Sequence, residues 1–187
     1  MDFAFPVAAV VTVRGVPLPR FISSGFGLRS SPTGSGTQQH SGIDFPADEG
    51  TRVFAVLGGT VATVYGNHPD AGTFVEIDHG NGYWTRYLHL SAVNVAKGQQ
   101  VKMGDVVGLS GGMPGKPHSG RSTGPHLHFE IWEGRPFGGG RAVNPIELLT
   151  REATEAAKQY WLPALLTGVG ISGLLIWRFR PEWFRGR

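Results

Sequence analysis

No cysteine occurs in the 187 residues. That absence excludes a disulfide framework, a thiolate metal site and a cysteine nucleophile, and it leaves the redox compartment open. Charge is also scarce: Asp, Glu, Lys and Arg make up 17% of the chain, and residues 1–150 hold as many acids as bases. The formal net charge of +3 therefore arises at the far end, where Arg178, Arg180, Arg185 and Arg187 face only Glu182. A basic pI of this origin reports a tail and gives no reason to expect a nucleic-acid partner. The first residues lack lysine. Phe3 to Val13 is apolar, but it has no basic leading region and no small-x-small cleavage site, and it contains Pro6. Residues 1–22 are therefore read as an N-terminal segment of the mature chain, with an early strand over Val10 to Val13.

Glycine, at 29 residues, and proline, at 13, are plentiful, which predicts tight turns between short strands. Strand patterns run over Arg52 to Leu57, Thr60 to Tyr65, Gly72 to Asp78, Tyr83 to Leu90 and Val106 to Ser110. The first two are expected to form a hairpin across Gly58-Gly59, and His79-Gly80-Asn81-Gly82 is a turn joining the next two. Ser30 to Gln39 reads as a polar, glycine-rich loop. Strands do not alternate with helices and no repeat is evident, so the expected class is mainly β, an antiparallel sheet or sandwich.

The chemistry concentrates in Gly124-Pro125-His126-Leu127-His128-Phe129-Glu130. Phe129, Ile131 and Trp132 favour a strand entered from the Gly-Pro turn. Alternation then puts His126, His128 and Glu130 on one face, and Leu127, Phe129 and Ile131 on the core face. Taken alone, H-x-H equally describes two surface histidines. A second cluster upstream, His40-Ser41-Gly42-Ile43-Asp44, changes the balance. Gly42 and Pro46 argue against a helix there, so His40 and Asp44 belong to extended chain, and Gly42 leaves an ion's approach clear. Two imidazoles and one carboxylate suit zinc with a fourth position open, the mark of a catalytic site. Glu130 is read either as orienting a ligand histidine or as an ordinary exposed salt bridge.

H-x-x-x-D followed some eighty residues later by H-L-H-F-E resembles the M23 family of zinc metallopeptidases, the lysostaphin- and LytM-type peptidoglycan endopeptidases. The likeness runs from about Ser23 to Leu149. It includes Ser24-Gly25-Phe26-Gly27-Leu28-Arg29, Ile77-Asp78-His79-Gly80-Asn81-Gly82-Tyr83, Arg86-Tyr87-Leu88-His89-Leu90 and Thr123-Gly124-Pro125 ahead of the histidine strand. The resemblance implies a duplicated-hybrid-motif β fold and Zn2+ held by His40, Asp44 and His128. It makes His89 and His126 the catalytic histidines and peptidoglycan the substrate, and it places Ser30 to Gln39 along one wall of a groove. Zinc would supply a Lewis acid and an acidified water. One catalytic histidine would move the proton and the other would hydrogen-bond the oxyanion, in an order left open. Met113 to Arg121 is longer than the family pattern and is expected to be a solvated loop. Arg29 would bind a substrate carboxylate or brace a loop. Two other readings stand beside the hydrolase. One is an M23-like module that binds wall or activates an amidase without catalysis; the other is a histidine phosphocarrier of the sugar-phosphotransferase IIA type. Neither needs all five site residues.

The tail is of another kind. Asn144 is a plausible N-cap for a helix over Pro145 to Lys158, making residues 150–159 a helical linker. Tyr160 to Trp177 then carries no charge: eighteen residues that would span about 27 Å as a helix, enough for a bilayer core. Residues 160–178 are expected to be a transmembrane helix bracketed by Tyr160, Trp161, Trp177 and Trp183. Gly168 and Ser172 give a weak signal for helix pairing, hence a homo-oligomer. Residues 179–187 form a basic tail, which the positive-inside rule puts in the cytoplasm with the 23–149 domain on the other side. A virion membrane is one expected setting for such a wall hydrolase.

Overall fold

The computed structural model describes residues 6–7, 10–13, 16–19, 22–32 and 34–149. The linker beyond 149, the Tyr160–Trp177 span and the basic tail lie outside the described residues. Strands follow in chain order as β1 (Val10–Val13), β2 (Val16–Pro19), β3 (Gly27–Ser30), β4 (Thr37–His40) and β5 (Ile43–Pro46). Next come β6 (Arg52–Phe54), β7 (Gly59–His68), β8 (Gly72–Asp78), β9 (Tyr83–Leu88) and β10 (Leu90–Val93). The set ends with β11 (Gln100–Val101), β12 (Val106–Ser110), β13 (His126–Glu133) and β14 (Arg141–Val143).

β13 organises the rest. Its odd residues Leu127, Phe129 and Ile131 are fully buried in the core, as period-two alternation requires. β9 runs antiparallel along one edge, pairing residues 128–133. The other edge is shared, with β5 opposite residues 126–129 and β14 opposite 131–133. Beyond β9 the sheet continues through β8 and β7 to β11. A smaller sheet, β10-β12-β6, contributes Leu90, Val107 and Val53 to the same core. The fold is thus mainly antiparallel β, as expected. Tyr87 crosses the core with its hydroxyl bonded to Val56 N–H at 3.0 Å and Thr85 Oγ1 at 3.2 Å. Burial pushes its phenol up to about 12.

Several local expectations change. β6 does not pair with β7; it joins β12 in the smaller sheet, while β7 pairs with β8 and β11. A Cβ at Gly59 would lie 2.4 Å from the Asp78 carbonyl, so that glycine serves strand packing against β8 and not a hairpin turn. Tyr83 to Leu90 is two strands, broken at His89, whose φ is 61°. The chain leaves the large sheet there and enters the small one. Ser30 to Gln39 is not all loop: β3 and β4 pair into a hairpin. Upstream of Ser23, Val7 is buried against the core and Pro6 accepts the Phe54 N–H at 2.8 Å, so packing of the domain reaches further toward the amino end. The Met113–Arg121 loop is exposed over its outer residues, but Ser119 is fully buried beside the β7–β8 turn. Residues 145–149 are helical, and Asn144 Oδ1 accepts the Ile146 N–H at 3.2 Å, as an N-cap does. No helix among the described residues is long and apolar enough to cross a membrane.

Candidate metal centre and its histidines

Register builds the site. β5 and β13 set Asp44 directly opposite His128, so their side chains emerge as neighbours on the face away from the core. β4 ends at His40, and the chain returns to β5 through Ser41-Gly42. A Cβ at Gly42 would fall 2.2 Å from the Phe129 carbonyl oxygen and 2.9 Å from Glu130 Cγ. Gly42 therefore permits the chain to lie on β13; clearing a path for an ion is not its role. Asp44 is fixed at the backbone too, through bonds with Ser23 and Ser24 at 3.0 and 2.9 Å.

His40 Nε2, Asp44 Oδ1 and His128 Nδ1 converge. The two nitrogens lie 2.9 Å apart, and Asp44 Oδ1 is 3.3 Å from His40 and 2.8 Å from His128. Tetrahedral ligands at zinc bond lengths of about 2.0–2.1 Å stand about 3.3 Å from one another. The outer nitrogens complete the fit. His40 Nδ1 is 2.6 Å from the Gly25 carbonyl, and His128 Nε2 is 3.0 Å from Glu130 Oε1. Both of those partners only accept, so each outer nitrogen carries a proton, which leaves the inner nitrogens to supply the lone pairs when an ion is bound. Three such atoms aimed at one point repel unless a cation or a proton lies among them. Without an ion, a proton on His128 takes that place. Burial alone would strip charge from His128, yet Asp44 and Glu130 raise it to about 9. Burial likewise opposes the Asp44 carboxylate, but His128 and His40 hold it well below the usual carboxylate range. These three buried residues could hold a metal ion.

Glu130, left open between two roles, is buried and fully engaged. It accepts from Ser41 Oγ, from Arg86 Nη1 at 2.7 Å and from Trp132 Nε1 at 2.7 Å, besides His128. Arg86 also bonds Glu76 at 2.9 Å and stands directly between Glu76 and Glu130 in the registers of β8, β9 and β13. Burial opposes the Glu130 charge, but His128, Arg86 and Ser41 bring its carboxyl down to about 2. Arg86, Trp132 and Ser41 were not legible as site residues. Only cross-strand register, which depends on the whole sheet, sets them in line.

His89 and His126 flank the convergence point. Their rings are 4.9 Å apart, and His89 is 6.0 Å from the His128 ring. His126 Nδ1 is 2.7 Å from the Gly124 carbonyl, so its N–H points there and its Nε2, 3.6 Å from Asp44 Oδ1, keeps a lone pair toward the site. Burial lowers His126, with Asp44 and Gly124 pulling the other way. Burial, then the charges of His126 and His128, bring His89 down to about 3. All five side chains line one cleft of about 560 Å³. Arg29, Gln38 and Gln39 stand on one wall and Arg121, Ser122 and Thr123 on another. Arg29 bonds Ser24 Oγ and sits 3.5 Å from Asp44 Oδ2, bracing β5 while facing the cleft. The other histidines stay outside the centre. His79 bonds Gly58 and Thr85, both at 2.9 Å. His68 accepts backbone N–H groups of Asp70 and Ala71, and His118 lies 3.5 Å from Glu49.

An antiparallel β fold with this donor set, set in a groove beside two further histidines, is that of a zinc peptidase. The family model described as peptidase family M23 matches residues 38–145, and the chain belongs to that family. It is similar to the peptidoglycan DD-endopeptidase ShyA of Vibrio cholerae, at 46% identity over 127 residues, 67% of this chain and 28% of ShyA. The chain thus spans less than a third of that curated relative. Among solved structures it resembles a zinc-containing peptidase from Vibrio cholerae (35% identity, TM-score 0.61, covering 78% of this chain and 40% of that one). It also resembles the catalytic domain of the antimicrobial peptidase lysostaphin from Staphylococcus simulans (30% identity, TM-score 0.59, 69% and 91%).

Proposed function

We propose that this chain is a zinc-dependent endopeptidase that cuts peptide crosslinks or stems of peptidoglycan, with His40, Asp44 and His128 as ligands and His89 and His126 as catalytic groups. One observation carries the reading: three inner ligand atoms within 2.8–3.3 Å of each other, with both outer imidazole nitrogens tied to acceptors. The likeness to a relative named as a DD-endopeptidase favours a DD-type crosslink over a glycine bridge.

When bound, zinc supplies a Lewis acid for the scissile carbonyl and lowers the pKa of water. The chain's residues divide the rest. His126, its Nδ1–H held by Gly124, offers a bare Nε2 to take a proton and later deliver it to the leaving amine. His89 is held neutral, with a pKa near 3, so it is a poor base at neutral pH and a good N–H donor for a developing oxyanion. Arg29 is placed at the wall to meet a substrate carboxylate.

The domain is proposed to sit on the non-cytoplasmic side of a membrane, anchored through Tyr160–Trp177; the uncharged run and its flanking aromatics support this. A virion envelope is one membrane from which such a domain would reach a cell wall, and fractionating virions from host envelopes tests that setting.

The test of catalysis uses the zinc-loaded full chain on defined muropeptides, with products read by mass spectrometry. His128→Ala is expected to lose metal and activity together. His89→Ala is expected to keep its zinc and lose about 10²–10³ in kcat, the usual cost of an oxyanion donor. Full turnover by His89→Ala would remove it from the mechanism, and a zinc-loaded wild-type chain that cuts no muropeptide would end the hydrolase reading.

A further inference from the structure

His89 occupies a backbone state that histidine does not choose unaided. Its φ of 61° is left-handed, and such a residue costs about 1–3 kcal/mol unless its surroundings hold it. Two segments do so. The β7–β8 turn supplies the Ala71 carbonyl, which accepts the His89 N–H at 3.0 Å. The Met113–Arg121 loop supplies Ser119, fully buried, whose backbone lies beside the imidazole.

These two segments are packed together more closely than side chains would allow. A Cβ at Gly72 would lie 2.0 Å from the His118 carbonyl oxygen. One at Gly120 would lie 2.3 Å from the Asp70 carbonyl oxygen and 2.4 Å from Gly72 N. Gly120 has φ 55° and ψ −132°, a combination that only glycine adopts readily. Arg121 N–H adds a bond to the Asp70 carbonyl at 3.0 Å. The outer residues of the loop, Met113 to Pro117, are exposed, and the Lys116 carbonyl accepts the Ser119 N–H at 3.0 Å.

We propose that the Met113–Arg121 loop is a positioning element for His89. Its inner part, His118 to Gly120, docks on the β7–β8 turn, and through Ser119 and Ala71 it fixes the His89 ring in the groove beside His126. The assignment rests on the reading of His89 as a catalytic group. It places the loop's effect in kcat, because a catalytic group misplaced by about 1 Å can cost about 10²-fold while substrate binding is kept.

Four variants of the zinc-loaded full chain test it. Gly120→Ala forces the inner loop away from Asp70. It is expected to lower kcat by roughly 10–100-fold, leave KM within about twofold and retain one zinc per chain. Ser119→Thr adds a single methyl group at a buried position, a change mild enough to fold, and is expected to lower kcat less but in the same sense. Gly115→Asn is one control. Its φ of 80° is left-handed, where asparagine is the least strained replacement, and no atom lies within 4 Å of its Cβ position. With Met113→Ala, which trims an exposed side chain outside the cleft, as a second control, kinetics are expected to match the wild type. NMR signals of the His89 ring are expected to shift in the first two variants and not in the controls, while those of His79 stay in place in all four.

Unchanged kcat and unchanged His89 ring signals in Ser119→Thr and Gly120→Ala would overturn the proposal. So would zinc loss in step with kcat, which would make the loop a support for the whole centre, or a rise in KM alone, which would make it a substrate wall. Should Gly120→Ala fail to fold, Ser119→Thr decides. A wild-type chain that cleaves nothing would sink the hydrolase reading, and the ring signals would still judge the loop.

Discussion

Glu130 has four partners and no exposure to speak of, and its value lies in what it does to His128. A metal-ligating imidazole needs its far N–H held, both to fix the tautomer and to keep the ring from turning. Glu130 Oε1 does this at 3.0 Å while Arg86 and Trp132 hold its other oxygen. A carboxylate buried without such partners would protonate; here Arg86, shared with Glu76, keeps it charged. Glu130→Gln keeps the shape and removes the charge. Its expected effect is a 10–100-fold loss of zinc affinity, measured by competition with a chelating dye. A stability loss of about 2–3 kcal/mol should accompany it, since hydrogen bonds to a charged group are the strong ones. Unaltered affinity in the variant would show that His128 needs no such support.

At the scale of elements, the site is the meeting of β4, β5 and β13, and Gly42 is the joint. Its missing side chain lets the β4–β5 connection lie on the Phe129 carbonyl, which brings His40 to within 2.9 Å of His128. Gly42→Ala puts a carbon against backbone that cannot rotate away. The expected result is a destabilisation of about 1–3 kcal/mol by thermal melting, with zinc affinity falling more than roughly tenfold by titration. An alanine variant that melts and binds as the wild type does would mean that the connection is slack. This joint also marks what sequence could tell. The faces of β13 were legible, because alternation is local and each residue's side follows from its neighbour's. His40 and Asp44 as extended chain were legible from Gly42 and Pro46. Strand partners were not: β6 has a pattern indistinguishable from that of a hairpin arm, and only the depth of the core sends it to β12. Nor was the break at His89 legible, since a histidine between Leu88 and Leu90 continues a strand by every local rule. The buried inner half of the Met113–Arg121 loop was hidden for the same reason. Its contacts lie with Asp70 and Gly72, some fifty residues upstream.

The whole molecule sets a groove on one side of a sheet whose other side is the core. Leu149 is buried there, with Ile146 and Leu148 partly buried beside it, so the short helix starting at Pro145 belongs to the domain. The run from Tyr160 to Trp177 differs in composition. Its eighteen uncharged residues would reach about 27 Å as a helix, a little short of a hydrocarbon layer of about 30 Å. Under the proposed function, a membrane tether would keep the groove within linker's reach of a substrate that does not diffuse. Anchoring and catalysis should therefore separate cleanly. The full chain is expected to sediment with lipid vesicles and to stay there after an alkaline carbonate wash. A chain ending at Lys158 is expected in the supernatant with the same melting temperature, because the proposed anchor would pack in lipid and not on the domain. Its kcat on soluble muropeptides should stay within about twofold of the full chain, since the described residues lining the cleft fall between 29 and 137. Full-length protein recovered in the wash would contradict a spanning helix, and a shortened chain that melts early would mean that the tail packs on the domain instead.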